Sequence, residues 1–593
     1  MTTALNLDVY AHLLTFISFP ADLLAVALTS CDLFRLGMPE LRYRSIRTHL
    51  GNNALWRFLA ENPALASRVR ELVILRENAH GLLDKKEMER VLIHGLRCTV
   101  PSGRVTEADV EESERLLIQA LRVLINLESF TWDRKVPLIN VGQEVLPLFG
   151  LVPSGDVPPQ VYSEDVWTAL RDRTQVKKLI VTDLGRNQTM FANTLSIFDS
   201  SMYTLQNLTH VELKIDYTPF NEAEGVTEDD DSDNSSDINF PPRINTDRLQ
   251  ALLHSCPDLE FLALEIYDHS FYIIYGGDPF TDISSILAGI TWPRLTSLQL
   301  GDVVVGKQVI TQFLNRHPTL QFFAAYLSIS VDRATQNFEL DMTGLKKDAL
   351  PNLTRLAVHP KLARPILCGV PDYSTITELT GVEPRDWDAP EVEIESPVAD
   401  FDTWSELPLA NVYEDDNIRL ERAFRLREMR NLKSLSLRNL TEVDQLEALA
   451  KLTPNLESLS TPPYLIKSVY DNPTPHTSWL PFLANWPRLT MVNGICLWPP
   501  SGAKGSEIEP ELAKEILKTC PNMKEIPWRD GAVVKFMEGG NHRRAQNMLR
   551  LTRQLLSRSR YQNLGFTDVT LTLLPLEQKQ SIPNKPMHNF SEY

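Results

Sequence analysis

The chain has 593 residues, of which 59 are Lys or Arg and 77 are Asp or Glu, giving a formal net charge of −18. This acidic balance argues against a nucleic-acid-binding protein, because phosphate backbones attract basic surfaces. Hydrophobic residues make up 43% and charged residues 23% of the chain, which is typical of a folded protein and excludes general disorder.

The six cysteines are scattered, and no two of them form a C-x-x-C pair. They predict neither a disulfide framework nor a zinc site, and they favour a reducing compartment. No apolar run reaches the roughly 18 residues of a membrane span. The first residues also lack the basic region and apolar core of a signal peptide. We therefore expect a cytoplasmic or nuclear protein without a membrane partner.

Residues 1–48 differ from the rest of the chain and predict a small helical domain. Leu13, Phe16 and Ile17 stand at helical spacing, Pro20 opens a second helical run, and a third run follows Cys31. Three helices of this length bury only a marginal core. We therefore expect apolar surface to remain for a partner.

The same segment resembles the F-box family. The family pattern runs L-P-x-E-[IVL], then three apolar helix positions, then D-L-L, then a Cys-containing turn before a third helix. The positions that match it are Leu5, Asp8, Val9, Leu13, Leu14, Phe16, Ile17, Asp22, Leu23, Leu24 and Cys31. With Asn6 in place of the usual proline, the segment is similar to the form common in mushroom-type fungal F-box proteins.

This resemblance implies a partner. F-box domains dock on a Skp adaptor, which joins them to a cullin ubiquitin ligase complex. The residues that the resemblance assigns to adaptor binding are Leu5, Val9, Leu13, Phe16, Ile17, Leu23 and Leu24. The alternative is a helical cap that shields the first repeat of the domain that follows.

A short phrase, X-Pro-x-[Leu/Met], recurs through the rest of the chain. Copies begin at Cys256, Trp292, His317, Leu350, Thr453, Trp486 and Cys520. Many neighbouring copies are about 23 to 36 residues apart, in or just above the range of leucine-rich repeats. Proline cannot continue a helix, so it ends one and begins the turn into the next strand. The pattern predicts an α/β fold, an irregular leucine-rich-repeat solenoid of strand–helix repeats with a curved parallel sheet.

The L-x-x-L-x-L pattern of each repeat locates its strand. Strands are predicted at 69–75, 127–132, 176–181, 208–213, 259–264, 295–300, 320–325, 353–358, 376–381, 432–437, 456–461, 489–494 and 523–528. Helical patterns precede several of them, at 248–253, 309–314, 444–450 and 511–517. The solenoid is expected over 49–566, with an acidic disordered loop at 221–237 and an acidic insertion at 383–416.

The end of the solenoid has its own composition. Residues 541–565 combine six arginines with several leucines and contain no acid. This pattern predicts a C-terminal capping helix with an apolar inner face, or alternatively an interaction helix for an acidic partner. Residues 567–593 are expected to form a tail.

The strand pattern also predicts a substrate surface. The anchors of an L-x-x-L-x-L strand point inward, so the residues between them line the concave sheet. The predicted substrate-binding residues are Phe261, Glu265, Gln299, Arg355, His359, Arg438, Asn493 and Arg529. Because the basic members come late in an acidic chain, we expect charge-selective contacts near Arg355, Arg438 and Arg529.

One stretch approaches a catalytic motif. Residues 301–308 match G-x-x-x-x-G-K, but Gln308 replaces the Ser or Thr that ligates magnesium. Three consecutive valines are also unsuited to a loop that curls around phosphates, so we expect no nucleotide site. Nucleophile motifs and paired-histidine spacings are missing as well. We therefore expect no catalytic residue, no metal and no cofactor.

The leading hypothesis is a non-catalytic substrate-receptor subunit of a Skp–cullin–F-box ubiquitin ligase, whose repeats hold an unidentified protein substrate. Its contribution would be positional, because raising the effective concentration of a substrate requires no catalytic residue. The alternative hypothesis is a leucine-rich-repeat scaffold or GTPase regulator without a ubiquitin-ligase link.

Overall fold

The computed structural model divides into two compact units, Met1–Asn352 and Leu353–Tyr593. Both units are built from parallel strands that alternate with helical segments. The residues that the structure describes are 7–17, 19–75, 107–133, 164–184, 200–217, 246–268, 281–301, 303–306, 308–326, 344–358, 362–363, 366–367, 369–382, 429–437, 445–461, 480–493, 510–527, 532–537, 548–553 and 570–575.

The first unit begins with three helices, α1 (Leu7–Phe16), α2 (Pro20–Ala27) and α3 (Cys31–Tyr43). Pro20 occupies the first turn of α2, where its fixed φ suits a helix start and its missing N–H is not needed. The Ser30 hydroxyl accepts a hydrogen bond from the Leu33 N–H at 3.1 Å and so caps α3.

A parallel sheet follows these helices, and each strand pairs residue for residue with the next. Its strands are β1 (Ser45–His49), β2 (Glu71–Leu75), β3 (Ser129–Trp132), β4 (Lys178–Leu184), β5 (His210–Tyr217), β6 (Phe261–Asp268), β8 (Ser297–Gly301) and β10 (Phe322–Tyr326). A separate parallel pair is formed by β7 (Thr281–Asp282) and β9 (Val303–Val304).

Helical segments connect the strands of the first unit. They are α4 (Asn53–Glu61), α5 (Pro63–Ala66), α6 (Glu107–Leu121), α7 (Val166–Arg171), α8 (Thr246–His254), α9 (Ser284–Gly289) and α10 (Val309–Arg316), with a 3-10 turn at Ser201–Thr204. Their buried residues recur at helical spacing, as Ile310, Phe313 and Leu314 do in α10. This apolar side supplies the helical half of the core.

The strands supply the other half of the core through their alternation. Leu262 and Leu264 on β6 are buried, as are Leu298 and Leu300 in the paired positions on β8. The tryptophans of the proline phrase fill the ends of this core. Trp292 and Trp486 are both buried, as expected for core side chains at helix ends.

The X-Pro-x-Leu phrase is a turn closed by one backbone hydrogen bond. The Leu295 N–H donates to the Trp292 carbonyl at 3.1 Å, and the Leu489 N–H donates to the Trp486 carbonyl at 3.1 Å. Proline at the second position suits this i→i+3 turn because its φ is fixed near the required value. The first leucine therefore lies in the turn, and the strand begins two residues later.

One carbonyl in each repeat joins it to the next repeat. The Lys177 carbonyl accepts hydrogen bonds from the consecutive N–H groups of Thr209 (2.8 Å) and His210 (3.0 Å). In the second unit, the Thr377 carbonyl accepts in the same way from Lys433 (2.8 Å) and Ser434 (3.1 Å). The same bond pattern in both units identifies them as runs of one kind of repeat.

Asparagine side chains add a second link between repeats. Asn126 Nδ2 donates to the Ser67 carbonyl at 2.7 Å, although 59 residues separate the two. Asn455 Nδ2 donates to the Arg430 carbonyl at 2.8 Å. Each asparagine stands just before the first anchor leucine of its repeat and reaches the turn of the preceding repeat. These bonds satisfy turn carbonyls that lack a strand partner.

The second unit continues the pattern and then changes it. Its parallel strands are β11 (Arg355–Val358), β12 (Glu378–Val382), β13 (Ser434–Leu437), β14 (Ser458–Ser460), β15 (Met491–Asn493) and β16 (Glu525–Pro527). Its helical segments are α11 (Gln445–Leu452), α12 (Leu480–Leu483) and α13 (Pro510–Thr519), with a 3-10 turn at Tyr373–Thr375. The antiparallel strands β17 (Ala532–Met537), β18 (Met548–Arg553) and β19 (Thr570–Pro575) follow β16.

These last strands correct two expectations. The helix expected over 541–565 is wrong at Met548–Arg553, which pairs with β17 as a strand. The segment Thr570–Pro575, placed in the tail, pairs with β18. The run Met-Leu-Arg-Leu-Thr-Arg also alternates apolar and polar residues, a period-2 pattern that the helical interpretation overlooked.

The repeat strands agree with the sequence pattern. Every strand predicted between 69 and 528 coincides with an observed parallel strand, and the helices predicted at 248–253, 309–314, 444–450 and 511–517 are present. The pattern missed β1, which crosses the expected boundary between the helical domain (1–48) and the solenoid. Its second anchor position holds Thr48, which is fully buried and accepts a hydrogen bond from Asn52 Nδ2 at 3.1 Å. The insertions at 221–237 and 383–416 lie outside the described residues.

Candidate protein-interaction site

Exposed apolar side chains concentrate on the first three helices. Among the described residues, nine large apolar side chains are exposed, and all but Ile125 lie between residues 7 and 34. Soluble proteins rarely leave such a concentration uncovered, so it marks an interaction surface. The members of this set, which we call the helical apolar surface, are Leu7, Val9, Leu13, Phe16, Phe19, Leu24, Leu28 and Phe34.

On α1 the surface follows from helix geometry. Val9, Leu13 and Phe16 are four and three residues apart, so they share one face of the helix. Phe16 is 69% exposed, and the ring of His12 meets it edge-on with centroids 4.9 Å apart. Leu14 points the other way and is buried. The helix therefore has one apolar side for its own core and one for a partner.

On α2 the same division corrects one expectation. Leu24 and Leu28 are exposed and four residues apart, whereas Leu23 is only 1% exposed. Leu23 therefore belongs to the core and is not part of a partner-facing surface. Of the remaining residues assigned to adaptor binding, Ile17 is partly buried and Leu5 lies outside the described residues.

Four members of the surface, Leu7, Phe19, Leu28 and Phe34, were not predicted. The family pattern concentrates on other positions, so it gave them no role. Helical spacing alone could have found Leu28, because it stands four residues after Leu24 on the same helix face.

The three helices are fixed to the first repeat. The carboxylate of Glu40 on α3 is buried and pairs with Arg68 at 2.5 Å, just before β2. The ring of Tyr43 at the end of α3 stacks on Phe58 of α4, with centroids 6.3 Å apart. Arg44 also donates to the Ile17 carbonyl. These contacts hold the helical apolar surface at a set orientation to the beginning of the sheet.

The sheet of the first unit presents further candidates. Residues that alternate with the buried anchors form what we call the second face. At the first position of each strand on this face, the ring of His210 on β5 stacks on the ring of Phe261 on β6. The ring centroids are 3.9 Å apart and the planes differ by 6°. Lys178 of β4 is the register neighbour of His210. Lys178 and His210 were not among the predicted residues, although they hold the second-face positions of strands predicted at 176–181 and 208–213.

Burial on this face changes the chemistry of His210. Burial, with a smaller contribution from the Lys178 ammonium, lowers the pKa of His210 to about 4. Its Nε2 atom is buried and has no hydrogen-bond partner within the part of the chain that the structure describes. His210 is therefore neutral near pH 7 and forms a weakly polar stacked pair with Phe261.

The predicted residues Glu265 and Gln299 lie on the same face, close to Phe261. Register places Phe261 beside Ser297, Glu265 beside Gly301, and Gln299 beside Ala263, all on the paired strands β6 and β8. Phe261, Glu265 and Gln299 are partly exposed. The structure thus brings these three predicted residues together.

Within the described residues, the second face of the second unit carries one of the three arginines expected there, Arg355. Arg355 is exposed on β11, but its register neighbour is Glu378. Ser434 and Asn493 continue this face and carry no charge, and Glu525 adds a second acid. His359, Arg438 and Arg529 lie outside the described residues. Among the described residues of this face, Arg355 is accompanied by the acids Glu378 and Glu525, and these residues do not form a basic cluster.

The stretch that resembles a phosphate loop has a different conformation. Val303 and Val304 form strand β9 and pair with β7. The Gly306 N–H donates to the Ser284 hydroxyl at 2.6 Å, so it is occupied by a side chain. A phosphate loop needs such N–H groups to point together at the anion, and here the backbone is extended instead.

The described residues contain no group of three or more His, Cys, Asp or Glu side chains that could hold a metal ion. No described helix is long and apolar enough to cross a membrane. Neither a scan against protein-family models nor a search of curated proteins found a match to the chain.

Proposed function

We propose that the chain is a non-catalytic substrate receptor of a Skp–cullin–F-box ubiquitin ligase. The concentration of exposed apolar side chains on α1, α2 and α3 is the observation that carries the proposal, because an adaptor-docking domain must present apolar surface. The parallel strand–helix repeats support the second half of the proposal, since repeat architectures offer broad faces for protein substrates.

The proposed mechanism is positional. The helical apolar surface would bind the Skp adaptor, and the repeats would hold a protein substrate within reach of a ubiquitin-charged enzyme. The Glu40–Arg68 pair and the Tyr43–Phe58 stack fix the tether to the first repeat, which limits the volume that a captured substrate can explore. A smaller volume means a higher effective concentration, and no catalytic residue of this chain is needed.

The test measures adaptor binding after two of the exposed apolar side chains have been replaced by charged ones. Phe16 and Leu24 are exposed on α1 and α2, so a Phe16→Asp, Leu24→Asp double variant should fold. Burying each of these side chains in an interface contributes roughly 1.5–3 kcal/mol. We expect the double variant to lose at least about a hundredfold in affinity for a recombinant Skp adaptor, measured by calorimetry.

Ile125 provides the matched control, because it is 54% exposed but lies outside the helical apolar surface. An Ile125→Asp variant should bind the adaptor as the unmodified chain does. Full adaptor binding by the double variant would contradict the proposal. If the unmodified chain binds no adaptor, a repeat scaffold or GTPase regulator without a ligase link becomes the function to test.

A further inference from the structure

A strip on the second face of β6 and β8 combines a floor of small residues with one buried hydroxyl that has no hydrogen-bond partner among the described residues. Its floor is formed by Ala263, Ser297 and Gly301, which are buried or lack a side chain. Ser297 is 5% exposed, and its Oγ has no hydrogen-bond partner among the described residues. Buried hydroxyls are normally satisfied, so this atom is an exception at the floor of the strip. The register pairs that compose the strip are Phe261–Ser297, Ala263–Gln299 and Glu265–Gly301.

A carboxylate lies across one end of the strip. A Cβ at Gly301 would stand 3.1 Å from Cγ of Glu265, so the Glu265 side chain extends over the glycine toward β8. Lys214 on β5 is the register neighbour of Glu265, but the Lys214 ammonium is paired with Glu212 at 3.2 Å. The three charges sum to −1, which leaves the Glu265 end of the strip net negative.

The other end of the strip is aromatic. Phe261 and His210 stack face to face, so each ring covers one face of the other and the pair forms a compact aromatic block. Phe261 and Glu265 are four residues apart on one strand, which corresponds to about 13 Å at the rise of an extended chain. Gln299 stands between these ends and has both donor and acceptor groups.

We propose that this strip binds an extended peptide that carries a basic side chain and, four residues away, an aromatic one. The basic side chain pairs with Glu265, the aromatic side chain packs on the Phe261–His210 stack, and Gln299 bonds to the peptide backbone between them. The inference rests on the proposed function in one respect, that the repeats hold a protein substrate. It adds the chemical class of the segment recognised, and the net charge of −18 favours encounters with such basic segments.

The experiment uses the full-length chain and short fluorescein-labelled peptides in anisotropy titrations. The first peptide carries one tyrosine and, four positions later, one arginine. The second has glutamate in place of the arginine, and the third has the same residues only two positions apart. We expect the first peptide to bind at least about tenfold more tightly than either of the others, because only it reaches both ends of the strip.

Variants of Glu265 complete the test. Glu265→Gln should remove the preference for arginine over glutamate, and Glu265→Lys should reverse it, with unchanged circular dichroism. The control is Glu378→Lys, which changes a second-face carboxylate of the second unit and should leave the preference intact. Equal binding of the arginine and glutamate peptides, a preference unaltered in both Glu265 variants, or no binding of the first peptide at about 1 mM would overturn the inference.

The same variants separate this inference from the proposed function. Glu265→Lys should bind the Skp adaptor normally, and the Phe16→Asp, Leu24→Asp variant should retain peptide selectivity. If the unmodified chain discriminates between the peptides but does not bind the adaptor, the ligase assignment alone is contradicted. Intact adaptor binding without peptide selectivity would contradict the strip alone.

Discussion

At the scale of single residues, the packing of the N-terminal helices depends on side-chain size. Gly37 of α3 is buried where α3 meets α2, and a Cβ there would stand 3.0 Å from Cβ of Ala27 and 4.0 Å from Cδ1 of Leu14. Helices approach this closely only when one of them carries a small residue at the crossing. Gly37 and Ala27 thus allow α3 and α2 to pack closely, with Leu14 beside them in the core.

Gly37→Ala tests this packing. The added methyl group must displace α2, so we expect the denaturation midpoint to fall by an amount equivalent to about 1–3 kcal/mol. Gly289→Ala is the control, because a Cβ at Gly289 meets nothing within 4 Å. That variant should be neutral or stabilising by up to about 1 kcal/mol, since alanine favours helices over glycine. Equal effects of the two changes would show that the close approach is not limiting.

At the scale of the repeat, the turn and its asparagine connect elements that are distant in sequence. The turn carbonyl of Arg430 is satisfied by Asn455 of the next repeat. The Trp486 indole N–H likewise donates to the Thr453 hydroxyl at 3.1 Å, across two repeats. Each repeat is thus held by its neighbour's side chains as well as by the strand ladder, and local damage should loosen adjacent repeats.

Asn455→Ala should therefore lower stability by about 1 kcal/mol, the usual net contribution of such a hydrogen bond. The measurement is chemical denaturation followed by circular dichroism. Asn485→Ala serves as the control, because Asn485 is exposed in a turn of the same unit and its side chain has no hydrogen bond to any other described residue. A similar loss in both variants would indicate a general effect of removing an amide and no specific link between repeats.

At the scale of the whole molecule, two histidines make stability depend on pH. His317 is buried, its Nδ1 lies 2.7 Å from the Phe313 carbonyl, and its Nε2 accepts the Trp292 N–H at 3.0 Å. Burial lowers the pKa of His317 below its ordinary value of 6.5. His210 has a lowered pKa for the same principal reason. Both side chains are therefore neutral in the folded chain at neutral pH.

The sign of the effect follows from proton binding. Below about pH 6.5 these histidines become protonated in the unfolded chain but stay neutral in the folded chain. Stability that is present above that pH is therefore lost as the pH falls toward the folded pKa, which is about 4 for His210. We expect the denaturation midpoint to fall between about pH 7 and pH 5. His317→Asn should flatten this dependence, whereas His254→Asn, which changes an exposed histidine, should not. A slope unchanged by His317→Asn would contradict the assignment.

The sequence by itself determined the repeat. The phrase X-Pro-x-Leu specifies a turn through the fixed φ of proline, and the leucines after it specify a strand with one buried side. Both signals are local, so strands as far apart as β2 and β16 could be located without any knowledge of their partners. The exposed apolar positions Val9, Leu13 and Phe16 were equally visible, because helical spacing is also a local property.

The tertiary structure alone decided which residues meet. Leu23 and Leu24 are adjacent and chemically identical, and only packing against α3 buries the first and exposes the second. The sequence pattern did not predict β1, because the polar residue Thr48 occupies an anchor position. In the fold, Asn52 donates a hydrogen bond to the Thr48 hydroxyl. Whether Lys214 pairs with Glu212 on its own strand or with Glu265 on β6 likewise depends on rotamers, and among the described residues Glu265 has no ion-pair partner. Rotamers and packing decide which distant side chains meet, and no local pattern in the sequence specifies them.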